Sequence, residues 1–250
     1  MTRQTPILVT GATSGLGREI ALQLAARGES VIASGRRAER LAELAAQENI
    51  QPLELDLSVA AEITSACAAL PPLSGVILNA GITIAEPFSA GSFDADLALI
   101  QTNVIANVQF IRELLPNLKA TNGRIFIIAS LGGLTPLPYQ SVYAGSKAFM
   151  INFALSLREE LKHDNIQVSV FAPGGIKTEM TDIPAMAGLE KQLAPAADIA
   201  AAAIETYDKM PALAVPGLQN KLVAGASKLL PRSFLSRQAE RIYRRGHDKT

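Results

Sequence analysis

The sequence predicts an α/β fold: a doubly wound, mostly parallel sheet of about seven strands, covered by helices on both faces. Two observations predict it. Short β-branched or apolar runs alternate with longer amphipathic stretches, as successive strand–helix–strand crossovers require. The runs VIAS, GVIL and RIFIIAS are apolar throughout, as strands buried on both faces must be.

In chain order, Ile7–Thr10 reads as the first strand and Gly15–Arg27 as the helix after a glycine-rich turn. Ser30–Ser34 and Gln51–Leu55 follow as strands, with Arg37–Glu48 as the amphipathic helix between them. Ala60–Leu70 is a helix whose alanines surround the single cysteine, Cys67; a packed, inert thiol is expected there. Gly75–Leu78 and Arg124–Ala129 are strands on either side of a long helical pattern, Phe93–Leu118. Val142–His163, a strand at Gln167–Phe171, a helix at Ala196–Lys209 and a short strand at Leu213–Val215 complete the alternation. No compositional shift marks a boundary and no repeat appears, so residues 1–250 read as one domain.

Of the 250 residues, 48% are hydrophobic, enough for a sizeable core, and formal charge sums to zero. That balance gives no global pull toward nucleic acid. One cysteine excludes an intrachain disulfide framework and suits a reducing compartment. The polar N-terminus lacks a separate apolar segment, and no apolar run reaches spanning length, so the reading is cytoplasmic with no integral membrane segment. The zero total conceals an uneven distribution. Residues 217–250 form an extension with two amphipathic helical patterns, LQNKLVAGASKLLP and SFLSRQAERIYRR. It carries Lys221, Lys228, Arg232, Arg237, Arg241, Arg244, Arg245 and Lys249 against Glu240 and Asp248, a formal balance of about +6.

Directly after the first strand, Thr10 leads into GATSGLG. Gly11, Gly15 and Gly17 remove side chains where backbone must turn and approach a pyrophosphate, and the helix that follows offers free N–H groups and a partial positive charge. The spacing is TGxxxGxG rather than the GxGxxG of the common dinucleotide fingerprint, but its place directly after the first strand and before a helix reads as a Rossmann-type dinucleotide loop. An acid about 20 residues on would bond the adenosine ribose 2′-hydroxyl. Here that region reads Ser34, Gly35, Arg36, Arg37, with no carboxylate. Two guanidinium groups suit a 2′-phosphate, so NADP is expected rather than NAD.

Tyr143 and Lys147 lie four residues apart at the start of a helix and so share a face. A phenol titrates near 10 in water. A fixed ammonium beside it would favour the phenolate and bring the group toward general acid–base range, each unit corresponding to about 1.4 kcal/mol. Ser130 closes the strand RIFIIAS, thirteen residues before Tyr143, and Asn79 follows another strand. Carboxyl ends of parallel strands line the binding crevice, so both belong on the rim that carries the glycine loop.

Together these residues resemble the short-chain dehydrogenase/reductase family, classical type. The shared motifs are TGxxxGxG at Thr10–Gly17, Asp56 after the third strand, NAG at Asn79–Gly81, Asn103, Ser130, Tyr143 with Lys147, and PGxxxT at Pro173–Thr178. The resemblance implies an NADP-dependent oxidoreductase, a carbonyl reductase or alcohol dehydrogenase, in which Tyr143 exchanges the proton with the substrate oxygen. Lys147 would hold the nicotinamide ribose, Ser130 the substrate oxygen, and Asn103 a relay water behind Lys147. For the cofactor it implies Thr10, Gly11, Thr13, Ser14, Gly15, Leu16 and Gly17 at the pyrophosphate. Arg36 and Arg37 would meet the 2′-phosphate, and Asp56 and Leu57 the adenine. Asn79, Ala80 and Gly81 would line the cleft, with Pro173, Gly174, Ile176 and Thr178 at the nicotinamide end. Hydride chemistry needs no metal, and His163 and His247 fall outside every motif. A homodimer through the Phe93–Leu118 and Val142–His163 helices is the assembly the resemblance implies.

Residues 174–194 would close over the substrate; Met180, Ile183, Met186 and Leu189 there suggest a hydrophobic ketone or aldehyde, or else merely pack on the sheet. Leu137, Pro138 and Tyr139 would add a wall. The basic extension has three readings: helices packed on the domain, an oligomer contact, or weak peripheral contact with a membrane. A non-catalytic dinucleotide-binding scaffold would keep the same fold but has no need of a proton donor.

Overall fold

In the computed structural model, residues 5–182 and 192–247 are described. Seven parallel strands form one sheet: β1 (Ile7–Val9), β2 (Val31–Gly35), β3 (Ile50–Glu54), β4 (Gly75–Leu78), β5 (Arg124–Ile128), β6 (Gln167–Phe171) and, after the two short strands β7 (Ile176–Lys177) and β8 (Ala194–Pro195), β9 (Leu213–Ala214). Their order is β3-β2-β1-β4-β5-β6-β9. The winding reverses between β1 and β4, which pair at Ile7↔Gly75 and Val9↔Ile77. A crevice opens beyond the carboxyl ends of strands at such a reversal.

Three helices cover each face. α1 (Gly15–Ala26), α2 (Ala38–Ala45) and α7 (Ala196–Lys209) pack with Ile7, Val9, Phe126 and Ile128. α3 (Ala60–Ala69), α5 (Ala106–Thr121) and α6 (Ser141–Glu160) pack with Leu8, Ile125 and Ile127. Alternate residues of one strand thus enter opposite cores, which is why the strands read as continuously apolar. Pro52 sits in β3, which pairs only with β2 and has no second ladder to lose.

The long pattern expected at Phe93–Leu118 is divided. α4 (Phe93–Ile100) passes through a π-helical turn, Gln101–Ile105, into α5, which continues to Thr121 and stops at left-handed Asn122. α2 ends at Ala45, earlier than expected, and left-handed Asn49 turns the chain into β3. Around Cys67, the buried side of α3 is Ile63 and Cys67; Ala68 and Ala69 face solvent instead. Two short strands were not foreseen: β7 (Ile176–Lys177) and β8 (Ala194–Pro195), which pair with each other. The extension forms α8 (Leu218–Leu229) and α9 (Arg232–His247). No helix among the described residues is long and apolar enough to cross a membrane.

Candidate active site

At the switch point lies a cleft of about 1040 Å³. Its floor is the turn after β1. Gly11 is left-handed, and a Cβ there would stand 2.8 Å from Ala80 Cα; one on Gly17 would stand 2.3 Å from Asn79 Nδ2 and 2.4 Å from the Gly11 carbonyl oxygen. The loop is thus drawn tightly onto the segment after β4. Thr10, fully buried, holds the other side: its Oγ1 accepts from the backbone N–H of Asn79 (3.0 Å) and of Ala80 (3.1 Å). Asn79 Nδ2 donates to the Thr10 and Gly11 carbonyls at 3.1 and 3.3 Å. Ser14 precedes α1 without a side-chain cap, so the helix start keeps its N–H groups for a ligand.

The expected residues Gly11, Thr13, Ser14, Gly15, Leu16, Arg36, Arg37, Asp56, Leu57, Asn79, Ala80 and Gly81 all line the cleft, as do Ser130, Tyr143, Lys147, Pro173, Gly174, Ile176 and Thr178. Thr10, Gly17 and Asn103 do not. They stand directly behind the wall, where they fix its shape. Asn103 is buried, accepts the Ile82 N–H at 2.8 Å, and donates to the Ile82 carbonyl (2.9 Å) and Ser146 Oγ (3.1 Å). Both of its amide protons are therefore engaged, and its side chain has none left to offer a relay water.

Arg36 and Arg37 differ. Arg37 donates to Glu179 at 2.8 Å and sits 3.5 Å from Thr13 Oγ1. Arg36 is largely exposed and only 3.8 Å from Asp56. The Asp56 carboxyl is held below its usual range, chiefly by the Ser58 backbone N–H, with the Ser58 hydroxyl and Arg36 adding to it. A phosphate beside Arg36 displaces no strong pair. Donor loop, free helix start and guanidinium together fit a phosphorylated dinucleotide.

Toward the nicotinamide end, β5 delivers Ser130 and α6 delivers Tyr143 and Lys147. The Leu131 N–H donates to the Pro173 carbonyl at 2.7 Å, tying the ends of β5 and β6. Ser130 Oγ accepts from the Gly132 N–H at 3.1 Å, which holds the hydroxyl at the rim. Lys147 is buried, donates to the Ile128 carbonyl at 3.2 Å, and has its ammonium 5.8 Å from the centre of the Tyr143 ring. Gly81 keeps the space in front of it clear, since a Cβ there would lie 3.3 Å from Lys147 Nζ. Burial lowers the Lys147 pKa to about 8. It raises that of Tyr143, an effect the hydrogen bond with Ser130 partly offsets and the Tyr243 phenol reinforces. The expected depression of the phenol by Lys147 is therefore not the resting state of this wall, because desolvation dominates.

Leu137, Met180, Val223 of α8 and Leu235, Ala239 and Tyr243 of α9 line the outer half. Tyr139 turns away instead, its hydroxyl 3.4 Å from Glu240 of α9. Ile183, Met186 and Leu189 lie outside the described residues. Gln140 lines the cleft, is almost wholly buried, and its amide nitrogen has no hydrogen-bond partner. Neither Gln140 nor the α8–α9 wall was read from sequence. The stripe Leu235, Ala239, Tyr243 was the available signal for the wall, since it recurs every four residues.

Residues 5–185 match the family model described as short chain dehydrogenase. A probable NADP-dependent dehydrogenase of Haemophilus influenzae is 37% identical over 180 residues, covering 69% of this chain and 71% of its own. Serine 3-dehydrogenase of Agrobacterium fabrum is 32% identical over 182 residues, covering 70% and 73%. A closed form of serine dehydrogenase complexed with NADP+ superposes at TM-score 0.78 and 29% identity, over 85% of this chain and 94% of that one. A short-chain dehydrogenase from Burkholderia cenocepacia in complex with NADP shares the fold at TM-score 0.84 and 23% identity, over 96% and 99%. The chain belongs to the short-chain dehydrogenase/reductase family. The family match ends at residue 185, so α8 and α9 lie outside it.

Proposed function

We propose that the chain is an NADP-dependent oxidoreductase that reversibly reduces an uncharged, hydrophobic ketone or aldehyde to the alcohol. One observation carries this reading: Tyr143, Lys147 and Ser130 converge on the cleft at the same end of the sheet as the glycine loop. Arg36 would take the 2′-phosphate with Arg37 beside it, and Asp56 and Leu57 the adenine. Pro173, Gly174, Ile176 and Thr178 would border the nicotinamide. NADPH supplies the hydride when bound.

The protein's own part is proton transfer and orientation. Ser130 holds the substrate oxygen, and Tyr143 donates its proton to that oxygen in reduction and recovers it in oxidation. Burial keeps the phenol protonated, so it is ready as an acid. The Lys147 ammonium, held by Ile128, is placed to stabilise the phenolate left behind. Gln140 would donate to a second oxygen of the substrate, since a buried amide without a partner is costly unless a ligand satisfies it.

The substrate class follows from charge. Among the described cleft residues the charged ones are Arg36, Arg37, Asp56, Lys147 and Glu179, all at the glycine-loop end or the catalytic pair. The outer half has apolar and uncharged polar walls. Residues 174–194 would cover the substrate and 217–250 would complete its pocket, within one domain spanning 1–250. A cytoplasmic setting suits the lone, buried Cys67. A homodimer is supported by the exposed apolar face of α4, the π-helical turn and α6, made by Phe93, Leu97, Ile100, Ile105 and Phe149. Screening hydrophobic ketones and aldehydes for consumption of NADPH tests the proposal. Activity with NADPH, lost in Tyr143→Phe, is expected; failure of the whole panel, or equal turnover by the variant, overturns it.

A further inference from the structure

The outer face of α8 is apolar where a helix in water should be polar. Leu218, Leu222, Gly225 and Leu229 recur at helical spacing and share one stripe. The three leucines are 74%, 66% and 86% exposed, and a Cβ on Gly225 would meet nothing within 4 Å. The opposite side, with buried Ala224 and the cleft-lining Asn220 and Val223, faces the body of the protein. Leu230 and Phe234 carry the exposed apolar surface around the corner into α9.

Charge decides what such a face would meet. Lys221 and Lys228 flank the stripe, and Arg232, Arg237 and Arg241 follow it; all five are exposed, and none pairs with a described carboxylate. The acid among the described residues of this stretch, Glu240, is taken by Arg244 at 2.6 Å. A second copy seated on the same patch by a two-fold axis would bring these cations against one another. The apolar face on α4–α6 differs, because Asp94 and Asp96 lie within α4. An anionic lipid surface satisfies both features at once: leucines enter below the headgroups while lysines and arginines remain among them.

We infer that the α8–α9 corner docks on anionic lipid bilayers, with α8 lying in the plane of the surface. The inner sides of the same helices wall the outer half of the cleft, so docking brings its mouth to the source of a lipophilic carbonyl. That last step rests on the proposed reaction; the docking does not.

Co-sedimentation of the full chain with phosphatidylcholine vesicles, with and without phosphatidylglycerol, tests it. The protein is expected to pellet with the anionic vesicles, to stay in solution with the neutral ones, and to be released by high salt. Leu222→Glu with Leu229→Glu, and separately Lys221→Glu with Lys228→Glu, should each lower partitioning roughly tenfold or more. None of these residues lines the cleft, so NADPH oxidation with a water-soluble ketone should be unchanged in both. The lysine pair is exposed and serves if the leucine pair fails to fold. Wild-type protein left in solution with both vesicle types, equal pelleting with both, or undiminished binding by the lysine variant would overturn the inference. So would conversion of an oligomer to a monomer by the leucine variant. A missing reductase activity would leave the sedimentation result standing and would count only against the proposed reaction.

Discussion

Tyr143 and Lys147 lie one helical turn apart on α6, and burial opposes the charged form of each. For Lys147 the consequence is measurable as stability. It titrates near 8 in the folded chain and near 10.5 in the unfolded one. Between those values the unfolded chain binds the extra proton, so stability rises with pH across that window; below 8 the penalty of the buried charge is carried in full. Lys147→Met should therefore be the more stable protein at pH 7, by about 1–3 kcal/mol, with the gap closing toward pH 10.5. Denaturant melts at both pH values check this. The same lysine loses its charge above about 8, so the reduction rate should fall there. At the dinucleotide end, Arg36→Ala should weaken NADPH binding by roughly ten- to a hundredfold and leave NADH nearly unaffected, read by fluorescence titration. Gln140→Leu should raise KM several-fold for substrates that carry a second oxygen, with kcat little changed.

At the scale of elements, the cradle under the dinucleotide leaves no room for a side chain on Gly17. Gly17→Ala would drive a methyl into Asn79 Nδ2 and the Gly11 carbonyl, and should cost about 3 kcal/mol or more as well as cofactor binding. Thermal melts with and without NADPH would show it. Burial pushes the Cys67 thiol up to about 12, with Glu113 adding to the effect, so the folded protein should resist alkylation at neutral pH and react once unfolded. Most strands and helices were legible because their signal is local. β4 carries an apolar run that starts and stops with the strand, and the TGxxxGxG loop announces its own turn. What was not legible depends on tertiary context. The π-helical turn at Gln101–Ile105 has no sequence signature of its own, so Phe93–Leu118 reads as one helix. Asn103, Thr10 and Gly17 carry the family's motif, and their hydrogen bonds and close packing, which hold the cleft wall, are not readable from the motif itself. Gln140 reaches the site only once α6 is placed, which no spacing in the chain reports, and the Leu235, Ala239, Tyr243 stripe marks an apolar face without saying what it covers.

For the whole molecule, the order β3-β2-β1-β4-β5-β6-β9 puts the glycine loop and the catalytic pair on one rim. The seven strands' carboxyl ends fix that geometry, and α8 and α9 close its outer side. Removing the exposed apolar face of α4 and α6 by Phe93→Glu with Phe149→Glu should convert the proposed dimer to a monomer in sedimentation equilibrium. The central claim concerns a single proton. Turnover of NADPH by Tyr143→Phe, measured beside its NADPH affinity with the best ketone found, tests it most directly. The expected result is cofactor affinity within a few-fold of wild type and turnover lower by about 10²–10⁴-fold. Near-normal turnover with intact binding would contradict the account.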